Sequence, residues 1–167
     1  MSGAQAAVLS RNRLHLQHGP IDLIITAEGE PACVERAHAA ARRAFPDVLP
    51  RLVEELTALR SPIGESPPEV RGPVARRMAD ACWPYRTSFI TPMAAVAGSV
   101  ADEMAMIIRA AAPLRRLLIN NGGDIAIHLG QGETAVAGVV ACSDSPAIAG
   151  TIRISDRDAV RGVATSG

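Results

Sequence analysis

The chain has 167 residues, of which 48% are hydrophobic, and its formal net charge at pH 7 is zero. This length and composition predict one domain with a sizeable core, and the zero net charge excludes the global basic field that holds nucleic acids or anionic membranes. All 17 basic residues are arginine, which excludes Schiff-base lysine chemistry and a P-loop lysine in this chain.

The cysteines and the apolar pattern indicate an intracellular setting. Cys33, Cys82 and Cys142 lack the paired spacing of zinc ligands, so we expect buried free thiols. The N-terminal residues lack the apolar run of a signal peptide, and no stretch of about 18 apolar residues predicts a membrane span. We therefore expect a cytoplasmic protein that binds neither nucleic acid nor a membrane.

The first third of the chain predicts a hairpin followed by helices. Residues 12–18 and 21–27 have strand-like patterns, and Gly19-Pro20 between them is a turn signal, which together predict an antiparallel hairpin. Apolar residues then recur at helical spacing over residues 31–59. Because prolines at positions 46 and 50 divide this segment, we expect two helices there.

The middle of the chain predicts a loop, a helix and an aromatic segment. Residues 61–68 read as a surface loop and residues 70–82 as a helix, on which the Arg76-Arg77 pair is expected to face solvent. The following segment holds Trp83, Tyr85 and Phe89. These three side chains either fill the core, which we favour slightly, or stack on an aromatic ligand.

The last part of the chain predicts one long helix and then strands. Small apolar residues over 93–112 indicate a helix that Pro113 ends. Strand patterns follow at 114–120, 124–129, 134–141, 150–155 and 160–164. Helices in the middle with antiparallel strands at both ends predict an α+β fold.

Two segments favour a ligand site. The helix start near Gly98 carries small residues from Ala94 to Ala101, which leaves main-chain N–H groups accessible to an anion, and Asp102 and Glu103 follow one turn later. Close helix packing on the sheet would use the same small residues. We favour close packing for this stretch taken alone.

The second segment is Asn120-Asn121-Gly122-Gly123-Asp124, between two strands. Its adjacent glycines permit positive φ, so main-chain N–H groups can face an anion or a flat ring, and the carboxylate can bind a ribose hydroxyl or help to hold a metal. A hairpin with an asparagine cap explains the segment equally well. The four histidines, at positions 15, 18, 38 and 128, are each expected to be a structural residue or a surface residue.

Three motifs resemble the ApbE-like family, the FAD:protein FMN transferases. The segment 120–125 is similar to its N-x-G-G-D-I motif, and 163–167 to its A-T-S-G motif. The segment 95–99 lies where the family has a G-G-I-A-K-G helix start. The cytoplasmic, functionally unassigned branch is the closer match because it also reads P-M-A-A-V-A-G, and the resemblance covers residues 85–167 best.

This resemblance implies a T-fold-like α+β domain that binds FAD or FMN in a groove together with Mg²⁺. It further implies a Mg²⁺ contact from the Ala97 carbonyl, with the other metal ligands beyond Gly167. The flavin-binding residues that it implies, by position in this chain, are Tyr85, Ala97, Gly98, Ser99, Asn121, Gly122, Gly123, Asp124, Thr165 and Ser166.

Two of the chain's departures from the family pattern concern the binding site. Gly98 replaces the motif lysine, and the chain ends at Gly167, before the strand and helix that carry the family's cation ligands. We therefore expect residues 1–167 to form a single ApbE-like domain lacking these elements. A missing segment or a second chain would complete it, and a homo- or hetero-oligomer is expected.

Three functions remain open at this level. The first is flavin-nucleotide handling, with Mg²⁺-dependent FMN transfer or FAD pyrophosphate cleavage. The second is a catalytically inactive nucleotide-binding module. The third is a chain self-processed after Gly167, belonging to a two-chain enzyme that acts on another small molecule.

Overall fold

The structure, a computed structural model, describes residues 3–140 and 148–164. Its strands are β1 (Gln5–Leu9), β2 (Arg13–His18), β3 (Ile21–Glu28), β4 (Arg116–Asn121), β5 (Asp124–Leu129), β6 (Thr134–Val140), β7 (Ile148–Ser155) and β8 (Gly162–Val163). Its α-helices are α1 (Pro31–Ala44), α2 (Val48–Glu54), α3 (Leu56–Arg60), α4 (Pro73–Cys82) and α5 (Val96–Ala111).

The main sheet has six strands in the order β1-β2-β3-β4-β5-β8, and every neighbouring pair is antiparallel. Strands β6 and β7 form a separate antiparallel hairpin. This arrangement confirms the predicted α+β class. The finer T-fold assignment stays a prediction.

The helices and one face of the sheet form the main core. Alternate residues of the central strands are fully buried and belong to the same apolar cluster as the inner faces of α1 and α5. The period of two in the strands and of 3.6 in the helices produces these faces. The strand residues concerned are Leu14, Leu16, Leu23, Ile25, Leu117 and Ile119, and the helix residues are Val34, Ala37, Ala41, Val100, Met104 and Ile108.

The β6–β7 hairpin covers part of the opposite face of the sheet. Ile127 and Leu129 of β5 form a second buried cluster with Ala135 of β6 and Ile154 of β7. Because side chains alternate along a strand, Asp124, Ala126 and His128 lie on the helix side of β5. The register supports this, since His128 pairs with the buried Leu117 of β4.

Several boundaries differ from the predicted ones, for local reasons. The second predicted helix is broken into α2 and α3 at Glu55, whose φ of −108° is not helical. Helix α5 begins at Val96 because residues 92–95 form a 3₁₀ turn. Strand β1 was not predicted, since its residues are mostly exposed and show no alternating pattern.

The aromatic segment does not fill the core. Tyr85 and Phe89 are 63% and 85% exposed, so the favoured core interpretation is wrong for both. The Trp83 ring is half-buried, with the Arg86 guanidinium 4.4 Å from its centroid. The buried aromatic side chain in the described core is Phe45 instead.

The cysteine and membrane expectations can be compared with the described residues. Cys33 and Cys82 are buried and free, as predicted, whereas Cys142 lies outside the described residues. None of the helices described here combines the length and the apolar character needed to cross a membrane.

Candidate functional site

The glycine pair of the β4–β5 hairpin forms a two-residue turn. Gly122 has φ +61° and Gly123 has φ +107°, as a type I′ turn requires at both central positions. The Asn120 Oδ1 atom accepts a hydrogen bond of 2.8 Å from the Gly123 N–H. The capped hairpin that the sequence left open as an alternative is therefore present, and the Gly123 N–H is engaged within it.

The second asparagine fastens this hairpin to the beginning of α5. Asn121 is buried, and its Nδ2 atom donates a hydrogen bond of 3.0 Å to the Ala97 carbonyl. A Cβ atom added at Gly98 would lie 3.7 Å from Asp124 Oδ2. The two segments singled out in the sequence are therefore in direct contact, and the absence of a side chain at position 98 keeps the space beside Asp124 open.

A cleft of about 190 Å³ opens at this contact, and we call it the glycine cleft. Helix α5 contributes two residues at i, i+4 spacing, the beginning of strand β5 contributes three consecutive residues, and the β8 segment contributes the other three. Its lining residues are Gly98, Asp102, Asp124, Ile125, Ala126, Gly162, Val163 and Ala164.

A neighbouring cavity of about 390 Å³ continues along α5, and we call it the arginine pocket. It shares Asp102 and Ala126 with the glycine cleft, so the two cavities adjoin, and we call them together the groove. The remaining lining residues come from α4, α5, β5 and the segment before β8. They are Arg77, Ala105, Met106, Arg109, Ile127, His128, Leu129 and Arg161.

The three guanidinium groups of the arginine pocket have different partners. Arg77 Nη2 lies 3.2 Å from Glu103 Oε2. Arg161 donates to main-chain carbonyls, at 2.7 Å to Val160 and 2.9 Å to Asp156. Among the described residues, neither Arg109 nor Arg161 forms an ion pair with a carboxylate. Two of the three charges therefore have no directly paired carboxylate in the part of the chain that the structure describes.

Two titratable side chains in the groove have shifted pKa values, one lowered and one raised. Desolvation is the main cause that lowers the pKa of His128, and the positive charges of Arg109 and Arg161 lower it further. A hydrogen bond with the Leu114 main chain acts in the opposite direction. Desolvation raises the pKa of the Asp102 carboxyl, and Arg77 opposes that shift. His128 is consequently held toward its neutral form while it lies beside two cations.

The structure brings together only some of the predicted site residues. Gly98 and Asp124 line the glycine cleft, whereas Ser99 is buried in the helix interface. The turn glycines 122 and 123 and the exposed Tyr85 are not among the lining residues of the groove. Thr165 and Ser166 lie outside the described residues.

The predicted metal contact at Ala97 has a protein partner in this structure. Its carbonyl accepts the Asn121 amide hydrogen described above. In the ranges 3–140 and 148–164, no group of three or more His, Cys, Asp or Glu side chains is arranged to hold a metal ion. The described residues therefore do not assemble a complete metal site by themselves.

Sequence reasoning missed the basic end of the groove. Arg77 was expected to face solvent and His128 to be a structural or surface residue, yet both line the arginine pocket. A partial signal was present, because Asp102 and Arg109 are seven residues apart on one helix face, and Asp124 and His128 share one face of a strand. Nothing local indicated that Arg161 would join them.

The fold and the groove define the class of this protein. It is a small α+β protein with an antiparallel sheet, and its groove lies between helix α5 and the β5–β8 side of that sheet. The chain belongs to the family described as AbpE bacteria, whose model matches residues 6–167. No curated protein matches the chain.

The family match corrects the assignment made from sequence motifs. The AbpE bacteria family is different from the ApbE family, so the assignment of this chain to the ApbE-like family is wrong. The physical reason lies in the motif itself. Asn120 to Asp124 build a capped two-residue turn, and glycines with neighbouring asparagines recur wherever a hairpin needs that geometry.

Proposed function

We propose that the groove binds a small molecule of the nucleotide class, with sugar or polyol hydroxyls in the glycine cleft. The observation that carries the proposal is the approach of Gly98 to Asp124, which leaves a carboxylate facing an open cleft beside bare main chain. Larger side chains at position 98 would fill this space. Small-molecule sites are concave, with a few convergent polar groups on an otherwise apolar lining.

The chemistry of the lining favours hydroxyl groups at this end. Asp102 and Asp124 are acceptors when ionised, so they suit the donors of a ribose or ribityl chain rather than an unshielded anion. The raised pKa of Asp102 is compatible with the same role, because a protonated carboxyl also donates a hydrogen bond. The ligand's anionic group would then lie toward the arginines.

FMN and FAD are the first ligands to test because they combine phosphate groups with a polyhydroxy chain. Mg²⁺ would fit this groove only when the two aspartates act together with phosphate oxygens of the ligand, which is a common way for proteins to bind Mg²⁺. Titrations with and without Mg²⁺ therefore belong to the same experiment.

The experiment is a titration of the purified protein with FMN, FAD, AMP and adenosine, followed by calorimetry and by flavin fluorescence. We expect saturable binding of at least one mononucleotide. Gly98→Val should weaken that binding by about tenfold or more, because the new methyl groups occupy the cleft beside Asp124.

Ala110→Val is the control, since it introduces the same valine side chain at an exposed position of α5 outside the groove lining. Saturable binding that Gly98→Val leaves unchanged, or no binding of any of these ligands, would overturn the proposal. The FAD samples can also be analysed for released AMP, which tests whether the proposed binding is accompanied by pyrophosphate cleavage or FMN transfer.

A further inference from the structure

We propose that the arginine pocket is a subsite for a phosphomonoester group, which would make mononucleotides, rather than uncharged nucleosides, the ligands of the groove. The extension to nucleotides rests on the proposed function above. The subsite itself is argued from the residues of the pocket alone, so it can be tested with inorganic phosphate.

The first argument is the local charge. The chain as a whole is neutral, yet Arg77, Arg109 and Arg161 converge on one cavity. Among the described residues, Arg77 has a carboxylate within ion-pair distance, Arg161 acts on the nearby exposed Asp158 without forming an ion pair, and Arg109 forms no ion pair. Because guanidinium groups present several N–H donors in a planar fork, arginines that line one cavity match the oxygens of a phosphate.

The second argument is that His128 lines the same cavity as the arginines. Arg109 of α5 and Arg161 of the segment before β8 both lower the pKa of its ring, which agrees with their placement around one cavity. A bound dianion would relieve their mutual repulsion. It would also favour protonation of His128, which adds a further donor to the anion.

The third argument is the separation of the two ends of the groove. Asp124 lines only the glycine cleft, the three arginines line only the arginine pocket, and Asp102, whose carboxyl pKa is raised by desolvation, lines both. An anion in the arginine pocket therefore avoids Asp124. The cavity of about 390 Å³ is large enough for a phosphate group with its ester-linked carbons.

The test is a titration with inorganic phosphate at constant ionic strength, with chloride as the reference salt and sulfate for comparison. Binding is followed by calorimetry and by the side-chain ¹⁵N resonances of His128. We expect saturable phosphate binding with a shift of the His128 resonances toward the protonated form. Arg109→Gln should weaken phosphate binding by about tenfold, which is the size of a lost charge-assisted hydrogen bond.

Arg76→Gln is the matched control, because Arg76 precedes a pocket residue on α4 but is exposed and does not line the cavity. Arg109 is itself exposed, so its replacement is expected to leave the fold intact, which circular dichroism checks. Equal phosphate affinity in the two variants, or no saturable binding by the wild-type protein, would overturn the subsite.

The two proposals fail in different ways. If phosphate binds and depends on Arg109 but no nucleotide competes with it, the subsite stands and the proposed function is wrong. If AMP or FMN binds in a manner that depends on Gly98 but not on Arg109, the proposed function stands and the subsite is wrong. When both are right, Arg109→Gln brings the affinities for AMP and adenosine close together.

Discussion

His38 lies on the inner face of α1, and its Nε2 atom has no hydrogen-bond partner among the described residues. Desolvation lowers the pKa of its ring, and the nearby Arg42 lowers it further. Helical spacing brought His38 onto the same face as the apolar residues of α1, as the sequence predicts. The consequence for stability follows from proton linkage.

We predict that His38 makes the protein less stable in acid. Above its unfolded-state pKa of about 6.5, the ring is neutral in both states, so proton binding makes no contribution to the free energy of unfolding. As the pH falls below that value, the unfolded chain binds a proton that the folded protein resists, so the free energy of unfolding decreases. Urea unfolding at pH 7 and pH 5 should therefore show a smaller loss of stability for His38→Leu than for the wild type. Identical losses would contradict the prediction.

Other single residues explain why the hairpin motif was ambiguous. Asn120 caps the turn and Asn121 bonds to the Ala97 carbonyl, so the two adjacent amides have separate structural roles. Most side chains of this motif therefore stabilise the hairpin and its contact with α5, and Asp124 is the motif residue that lines the groove.

Among the helices, α4 has an unusual N-terminus. It begins at Pro73 after Gly72, and no side chain of the N-cap residue closes it. The carboxylate of Glu55, from the break between α2 and α3, instead accepts the N–H groups of Arg71 and Gly72, the latter at 2.9 Å. A Cβ at position 72 would lie 2.8 Å from Glu55 Oε2, so glycine permits this approach.

We predict that Glu55→Ala destabilises the protein by about 1–3 kcal/mol, because two main-chain donors and a helix N-terminus lose a charged acceptor. Glu54→Ala is the control, since Glu54 is exposed and makes no ion pair with a described residue. The free energy of unfolding is measured for both by urea denaturation. Equal values for the two variants would refute the capping role.

The whole molecule has two apolar clusters on opposite faces of one sheet. The larger cluster joins the helices to β2, β3 and β4, whereas the smaller one joins β5 to the β6–β7 hairpin through Ile127, Leu129, Ala135 and Ile154. A small cluster provides little burial, so the hairpin should open more readily than the helical side of the sheet.

We predict that Ile154→Ala lowers the free energy of local opening of the β6–β7 hairpin by about 2 kcal/mol or more, and therefore speeds amide exchange in β6 and β7. Amide exchange in α1 and β3, which belong to the larger cluster, should change little. Ile152→Ala is the control because Ile152 is 44% exposed. Hydrogen exchange followed by mass spectrometry measures these effects, and uniform acceleration throughout the chain would contradict two separately stable clusters.

The sequence by itself determined the features that depend on local chemistry. Gly19-Pro20 predicts the first tight hairpin, and Gly122-Gly123 permits the second, which the sequence left open beside a ligand site, because positive φ at these glycines is favoured by the residue type. Helical spacing in residues 31–45 predicts the buried face of α1. The α+β class follows from these elements, since their order along the chain limits how they can pack.

Only the tertiary structure decided the groove and its charges. Arg77, Arg109 and Arg161 come from three elements that antiparallel pairing and helix packing bring to one cavity. Their convergence depends on the register of β5 and the path of α5, and no short sequence window contains either. The same limit explains the wrong family assignment, because a turn motif reports local backbone geometry, whereas a family is defined by the pattern of the whole chain.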